Sequence, residues 1–292
     1  LGWAAARARL ASAGVLDALG AFALRFALPA LVFRLIAAQP LGGSFHPSFY
    51  GGYLAGGALI FAVVFGLSRL LGGTGAAAGA HATASTVGNL GFLGPPLMLA
   101  FLGERGAGPL AMAILAEIMV LLSVGAVFMG GWRSTGAGAG WVVLRATVLN
   151  PVLVAIVLGA AVAATGVATP VPLDRFLGLL GGAAAPTALF ALGGALALRH
   201  IDRATALSAA AITVAKLVAY PVVVGFVLAH LARVEPFWVQ AGVLLAALPS
   251  AGNVYVVAQR YAADADRVSA AIVLSTTVSV VTVPVAAWLI TQ

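Results

Sequence analysis

Two apolar stretches of the chain are each interrupted by glycine, asparagine and proline. The interruptions contain Gly88, Asn89, Pro95 and Pro96 in the first stretch and Pro249, Ser250, Gly252 and Asn253 in the second. Proline lacks the N–H of the helical ladder and glycine favours unwinding, so the pattern predicts two broken helices. A half-helix end presents free N–H groups with partial positive charge, and a carboxamide offers two donors and an acceptor. These residue types could bind a small anion, or each asparagine could only cap its own break.

Four charged residues fall inside apolar stretches, where each must find a partner or water. Glu117 is the only acid deep in such a stretch, which makes it the candidate for proton coupling. Arg25 and Lys216 are candidate counter-charges for an anionic substrate or for Glu117, whereas Arg34 lies nearer a membrane face. A purely structural ion pair is the alternative role for Glu117.

The sequence does not indicate catalytic or cofactor chemistry. It contains no cysteine, and its four histidines are not spaced with acids as metal ligands would be. His81 and Ser85 are one helical turn apart, but no nucleophile elbow or orienting acid accompanies them, so packing or cavity lining is the favoured interpretation. The glycine-rich residues 72–75 lack the lysine of a phosphate-binding loop. We therefore expect no enzyme activity, no catalytic residue, no metal and no cofactor.

The composition is that of an integral membrane protein. Of the 292 residues, 62% are hydrophobic and only 8% are charged, and the mean hydropathy is +1.11. A soluble domain does not need so much apolar sequence to fill its core. The formal net charge of +7 comes from basic residues that are scattered at segment ends without forming a basic helix. They are better explained as topology signals than as a nucleic-acid surface.

Apolar runs near the roughly 20 residues that cross a bilayer predict nine spans. They are residues 16–38, 49–71, 76–102, 106–129, 141–164, 176–198, 204–231, 237–261 and 267–290. Residues 1–10 resemble the last turn of a preceding apolar segment, so we expect a first helix to be missing or shortened. Counting that helix gives an all-α polytopic protein with ten helices in two sets of five. The sets are 1–130 and 141–292, joined by a linker at 131–140.

Because five is odd, the second set must enter the membrane from the opposite side, which is the inverted repeat of many secondary carriers. Pro29 then corresponds to Pro186, and Asn89 to Asn253, although chance alignment of common small residues is the alternative. Most arginines fall on one side of the alternating loops. This bias places the linker in the cytoplasm and the C-terminus outside.

Six segments, which cover nearly the whole chain in order, resemble the auxin efflux carrier family, whose bacterial members include proteins named as malonate transporters. They are LPALVFRLIA (28–37), GNLGFLGPPL (88–97), LNPVLVAIVLG (149–159), AAAPTALFALGGAL (183–196), LAALPSAGNVYVVAQRY (245–261) and VLSTTVSVVTVPV (273–285). The resemblance implies ten helices in two inverted repeats, with the fourth and ninth broken and crossing. It also implies a scaffold domain, a transport domain and elevator-type alternating access.

The resemblance further implies a carrier of a small organic anion in the bacterial inner membrane. Asn89 and Asn253 would be its central polar pair, within a substrate site that is completed by Gly88, Gly252, Pro95, Pro249 and Ser250. A proton or sodium ion could be coupled to transport, and family members often form homodimers.

Two departures from the family leave alternatives open. The family's first helix is largely absent, so a truncated, non-transporting fragment is one alternative. The plant carriers have a lysine and aspartate pair on their second and third helices. This pair is not carried over, because residues 49–71, the third helix when the missing first helix is counted, contain no acid. The other alternative is a sodium- or proton-coupled symporter or antiporter of the bile acid symporter or sodium/proton antiporter type. Such proteins would be expected to have acids or polar sodium ligands at the crossing.

Overall fold

The computed structural model describes residues 1–38, 46–130, 151–197 and 203–291. Its helices, in chain order, are α1 (Gly2–Arg7), α2 (Ala13–Phe22), α3 (Leu28–Ala37), α4 (Pro47–Leu70), α5 (Gly75–Thr86), α6 (Gly94–Leu102), α7 (Ala107–Ile114), α8 (Leu122–Gly130), α9 (Pro151–Thr165), α10 (Val171–Gly182), α11 (Ala184–Ala197), α12 (Arg203–Val214), α13 (Tyr220–Phe226), α14 (Pro236–Ala246), α15 (Gly252–Arg260) and α16 (Ala265–Thr291). Within the described residues the fold is all-helical, apart from one isolated pair of bridged residues.

Several helices continue into one another through turns of different pitch. Wider π-helical segments occur at Ala23–Ala27, Leu115–Leu121, Ala215–Ala219 and Val227–Leu231, and a tighter 3₁₀ turn occurs at Gly103–Gly106. Two of the π segments end two residues before a proline, Pro29 or Pro221. Proline cannot donate to the carbonyl four residues earlier and its ring crowds that carbonyl, so a widened turn there has a local cause.

Within the described ranges, five continuous helical runs are long and apolar enough to cross a membrane. They are Ala13–Arg34, Pro47–Leu70, Gly94–Gly130, Thr205–Leu231 and Ala265–Ile290, and Val154–Thr165 and Pro236–Ala246 are shorter apolar helices. The chain is therefore a polytopic integral membrane protein. The span predicted at 106–129 is part of a longer helical run, and the predicted linker at 131–140 lies outside the described residues.

The chain divides into two compact units that alternate along the sequence. Unit 1 consists of Leu1–Phe45, Gly91–Ala111 and Val148–His200, and unit 2 consists of His46–Leu90, Met112–Thr147 and Ile201–Gln292. Each unit is thus assembled from three separate stretches of the chain.

In unit 1, helix α3 packs against α9 and α10, and α11 packs against α1 and α2. Two glycines permit the close approach to α3. An ideal Cβ on Gly159 would lie 3.0 Å from the carbonyl oxygen of Phe33, and one on Gly181 would lie 2.9 Å from the Cα of Leu31. Neither position has room for a side chain, so glycine sets the spacing of these helices.

In unit 2, helix α4 packs against α5 and α13, α5 packs against α8, and α12 packs against α16. Helix α5 begins after Thr74, whose hydroxyl accepts a 3.1 Å hydrogen bond from the N–H of Ala77. Residues 77–86 are all buried. The hydroxyls of Thr83, Ser85 and Thr86 donate to carbonyls four residues earlier, so this small-residue helix buries its polar side chains with partners.

Candidate functional site

In unit 2 the backbone after α5 pairs with the backbone before α15. The N–H of Asn89 donates to the carbonyl of Pro249 over 2.7 Å, and the N–H of Ala251 donates to the carbonyl of Val87 over 3.0 Å. Gly88 lies opposite Ser250 in this antiparallel register. In lipid, backbone groups outside a helix must find partners within the protein. Each interruption therefore supplies hydrogen-bond partners to the other.

Ser250 joins this pairing to two further helices. Its hydroxyl donates to the carbonyl of Ala84 on α5 over 2.7 Å, and its N–H donates to the hydroxyl of Ser275 on α16 over 3.2 Å. Both serines are completely buried. The Ser275 hydroxyl thus connects α16 to the paired backbone.

The two asparagines differ in their surroundings. Asn89 is 6% exposed, and within the described part of the chain its carboxamide has no hydrogen-bond partner. Asn253 is exposed and lies in the first turn of α15, next to Gly252. The residue that precedes this helix, Ala251, offers no side-chain acceptor to the first N–H groups. Free amide donors and the positive end of a helix dipole are groups that can bind a carboxylate.

Glu117 is fully buried and accepts three hydrogen bonds beside this pairing. The Tyr53 and Tyr220 hydroxyls donate to its Oε1 over 2.7 and 3.3 Å, and the N–H of Gly88 donates to its Oε2 over 2.6 Å. An ionised carboxyl group only accepts hydrogen bonds, so three donors suit that form. Glu117 thus satisfies the backbone N–H that the end of α5 leaves free.

Lys216 is also fully buried and lies close to the same glycine. Its ammonium group donates to the carbonyl of Ala246, the last residue of α14, over 2.6 Å, and lies 4.7 Å from the centre of the Tyr220 ring. A cation at the C-terminal end of a helix is favoured by the helix dipole. An ideal Cβ on Gly88 would lie 3.3 Å from Lys216 Nζ and 3.4 Å from Glu117 Oε2. The opposite charges therefore approach Gly88 together.

The local sequence explains how these side chains meet. Glu117 and Lys216 both lie in π-helical segments, a type of turn that is frequent at functional sites. Lys216 and Tyr220 are four residues apart in a helical run and can therefore share a face. The rings of Tyr53 and Tyr220 are 6.0 Å apart in an edge-on arrangement, which brings both hydroxyls to the same carboxylate.

The remaining site residues predicted from sequence lie in unit 1. Pro95 is buried in the first turn of α6, and Arg25 is exposed within a π-helical segment. Arg34 forms an ion pair with Asp174, with its Nε 2.6 Å from Oδ1. The structure thus brings together Gly88, Asn89, Pro249, Ser250, Glu117 and Lys216 in unit 2, and it places Arg25 and Pro95 in the other unit.

Sequence reasoning did not select Tyr53 and Tyr220. The spacing of Tyr220 from Lys216 was a usable signal, because it places the two side chains on one helix face. Nothing comparable identified Tyr53, which lies 64 residues before Glu117 in the sequence. No group of three or more potential metal ligands occurs in the described ranges.

The fold and the buried polar cluster define a polytopic helical membrane protein with charged side chains at paired chain interruptions. The family described as "Membrane transport protein" matches residues 1–137 and 139–287. A protein of Rhizobium meliloti (strain 1021), named "Putative malonate transporter", is 36% identical over 269 residues, which cover 91% of this chain and 84% of that relative. The chain belongs to this family of membrane transport proteins, the auxin efflux carrier family, as its motifs predicted. It is a transporter and not an enzyme.

Proposed function

We propose that the chain is a secondary carrier of a small organic anion, which binds at the paired interruptions of unit 2. The observation that carries this proposal is Asn89, which is only 6% exposed and whose carboxamide forms no hydrogen bond among the described residues, beside the pairing of Gly88 with Ser250. A carboxamide has two donors and an acceptor, and a ligand can bind to those that the protein leaves free. The uncapped start of α15 at Gly252 and Asn253 adds further donors.

We propose a carboxylate as the substrate class. Amide N–H groups and a helix N-terminus are donors, which match the acceptor-only character of a carboxylate. A relative that is 36% identical is named "Putative malonate transporter", which supports a small dicarboxylate as the first substrate to test. Pro249 and Pro95 fix the ends of the interruptions in this proposal and touch the substrate less directly than the asparagines.

For the mechanism, we propose elevator-type alternating access. The division into two units, each assembled from three chain stretches, supports a transport body, unit 2, and a scaffold body, unit 1. The proposed inverted repeats, residues 1–130 and 141–292, each contribute to both units, with residues 131–140 as a cytoplasmic linker. The proposed location is the bacterial inner membrane with the C-terminus outside, and a homodimer is the proposed assembly.

A second candidate is a proton-coupled carrier, and the Glu117 cluster favours it. Buried ionisable groups inside membrane spans are expensive and mark proton or ion paths. Glu117 contacts the backbone at Gly88, so a change in its protonation would alter a hydrogen bond of the proposed substrate site. Lys216 is the counter-charge within unit 2, and Arg25 stays a predicted counter-charge to substrate. A sodium-coupled symporter of the bile acid type is the remaining alternative.

The test is the uptake of labelled malonate into vesicles that contain the purified full chain. We expect Asn89→Ala and Asn253→Ala each to lower the initial rate at least tenfold, because each change removes a donor to the substrate. Gln259→Ala is a matched control, since Gln259 is an exposed amide whose side chain donates to Tyr255. Wild-type rates in both asparagine variants would contradict the proposed site. Uptake at two pH values, with and without sodium, then separates the coupling alternatives.

A further inference from the structure

Unit 2 contains a pocket of about 330 Å³ in addition to the paired interruptions. Apolar side chains of α4 and α12, together with Leu71 and Ala215, form most of its wall: Val64, Leu67, Leu71, Ala211, Ile212 and Ala215. The polar residues of the lining are Ser68, His81, Ser208 and Arg267. The volume is at the lower end of the roughly 300–1,000 Å³ range of ligand sites. The pocket therefore fits a small molecule with one polar end.

A continuous chain of hydrogen bonds organises the polar end. His81 Nδ1 lies 3.0 Å from the Ser68 hydroxyl, and His81 Nε2 lies 3.0 Å from Asp264 Oδ2. Arg267 Nη1 donates to the same Asp264 oxygen over 2.8 Å. Asp264 itself does not line the pocket, so it holds the His81 ring and the Arg267 guanidinium in place from outside the cavity.

Arg267 gives the pocket its charge. A guanidinium group has five N–H donors, and Asp264 uses one of them in this arrangement. The Arg267 side chain is 46% exposed, so its other donors are accessible to a ligand. In the described chain no acidic residue lines the pocket. Arg267 forms an ion pair with Asp264 from outside the pocket, and its remaining donors can bind an anionic group at this end.

We propose that this pocket is a second ligand site, which binds a monocarboxylate with a short apolar chain. The carboxylate would contact Arg267, with the hydroxyl of Ser208 as a further donor, and the chain would lie against the apolar wall of α4 and α12. A second carboxylate would be buried against that wall without a partner, which is costly, so malonate should bind worse here than a monocarboxylate. This site is distinct from the one proposed at Asn89, and it does not depend on what is transported.

The test is calorimetric titration of the full chain in lipid nanodiscs with hexanoate, with empty nanodiscs as the reference. We expect Arg267→Gln to weaken hexanoate binding at least tenfold, and Asn89→Ala to leave it unchanged. Arg233→Gln is the matched control, because it removes an exposed arginine of unit 2 outside the lining. Palmitate serves as a second probe. If palmitate binds and hexanoate does not, the carboxylate ligand of this pocket is a fatty acid from the membrane.

A second variant keeps the test valid if Arg267→Gln unfolds the protein. Ala211 is an exposed residue of the pocket wall, so Ala211→Trp fills the pocket without removing any charge. We expect this variant to lose hexanoate binding while it retains malonate uptake. Hexanoate binding that survives both Arg267→Gln and Ala211→Trp would overturn the proposal. Loss of hexanoate binding in Asn89→Ala alone would overturn it too, since the probe would then occupy the site proposed for transport.

Discussion

An ion pair in unit 1 and two charged residues in unit 2 differ strongly in burial. In unit 1, Arg34 and Asp174 form a two-point ion pair, with side chains that are 46% and 39% exposed. In unit 2, Glu117 and Lys216 are fully buried, and their hydrogen bonds go to tyrosine hydroxyls and to backbone groups. Exposed pairs contribute little, whereas buried charges must be compensated in full. Burial of charge, rather than its presence, therefore distinguishes the charged groups beside the proposed transport site, since the Arg267–Asp264 pair of unit 2 is partly exposed too.

The π-helical segments sharpen this contrast. Arg25 in unit 1 and Glu117 and Lys216 in unit 2 each lie within such a segment. Arg25 is exposed, whereas the other two are at 0% exposure. A widened turn thus occurs in both units, and among the described π-helical segments two of those in unit 2 place a charged side chain beside the interrupted backbone.

The largest effect is expected from Lys216→Met, which leaves the carboxylate of Glu117 buried without a counter-charge. A buried carboxylate without a nearby opposite charge is strongly destabilising, so the unfolding midpoint in detergent should fall strongly. Arg34→Met in unit 1 is the matched control and should have a much smaller effect, because its partner remains solvated. Equal losses in the two variants would remove the contrast between the units.

A double-variant cycle tests whether the two buried charges act together. The double variant Lys216→Met/Glu117→Gln removes both charges, and its loss of stability should be clearly smaller than the combined losses of the single variants. Strict additivity would show that each charge is stabilised by its own neighbours alone. In that case the proximity of Glu117 and Lys216 to each other near Gly88 would not contribute to the stability of the fold.

Next in size is Tyr53→Phe, which removes the shorter of the two tyrosine hydrogen bonds to Glu117. A hydrogen bond to a charged group contributes about 1.5–3 kcal/mol. Tyr220→Phe should cost less, because its hydroxyl is 3.3 Å from the carboxylate rather than 2.7 Å. Thermal unfolding of both variants measures the difference. The reverse order would mean that the Tyr220 hydroxyl is the main donor.

These residues also show how far the sequence could predict the site. The glycine, asparagine and proline positions predict two interrupted helices, and in the structure α5 ends at Thr86 and α15 begins at Gly252. Residue type alone makes this possible, because the backbone preferences of glycine and proline are local. The spacing of Lys216 and Tyr220 was local too, and it could have placed Tyr220 in the cluster.

Contacts between distant segments could not be predicted in this way. The ring of His81 bonds to Ser68 and Asp264, which are 13 and 183 residues away, and not to Ser85 one turn along the helix. The Ser85 hydroxyl instead donates to the His81 carbonyl. A hydropathy pattern shows which face of a helix is apolar, but it does not determine which faces of different helices meet. That pairing requires the tertiary fold.

A smaller effect is expected from Gly88→Ala. The added Cβ would lie 3.3 Å from Lys216 Nζ and 3.4 Å from Glu117 Oε2, and both groups are held by hydrogen bonds. Overpacking of this kind costs about 1–3 kcal/mol, and malonate uptake should fall because the Glu117 contact shifts. Gly66→Ala is the matched control, since Gly66 lies in α4 outside the proposed site and no atom lies within 4 Å of its ideal Cβ. Equal uptake in the two variants would show that space at Gly88 is not limiting.

The smallest effect is expected from Asp174→Asn in unit 1, and pH makes it measurable. The hydrogen bonds from Arg34 hold the pKa of the Asp174 carboxyl below its ordinary value. A folded-state pKa that is depressed gives stability above the unfolded-state pKa of about 3.9, and this stability is lost as the pH falls through the lower folded-state value. The unfolding midpoint of the wild type should therefore exceed that of the variant slightly at pH 7, and the two should converge as the pH falls below about 3.9. If the difference in unfolding midpoint between wild type and variant persists in acid, it is caused by packing and not by charge. A difference as large as that caused by Lys216→Met would mean that exposure does not weaken the Arg34–Asp174 pair.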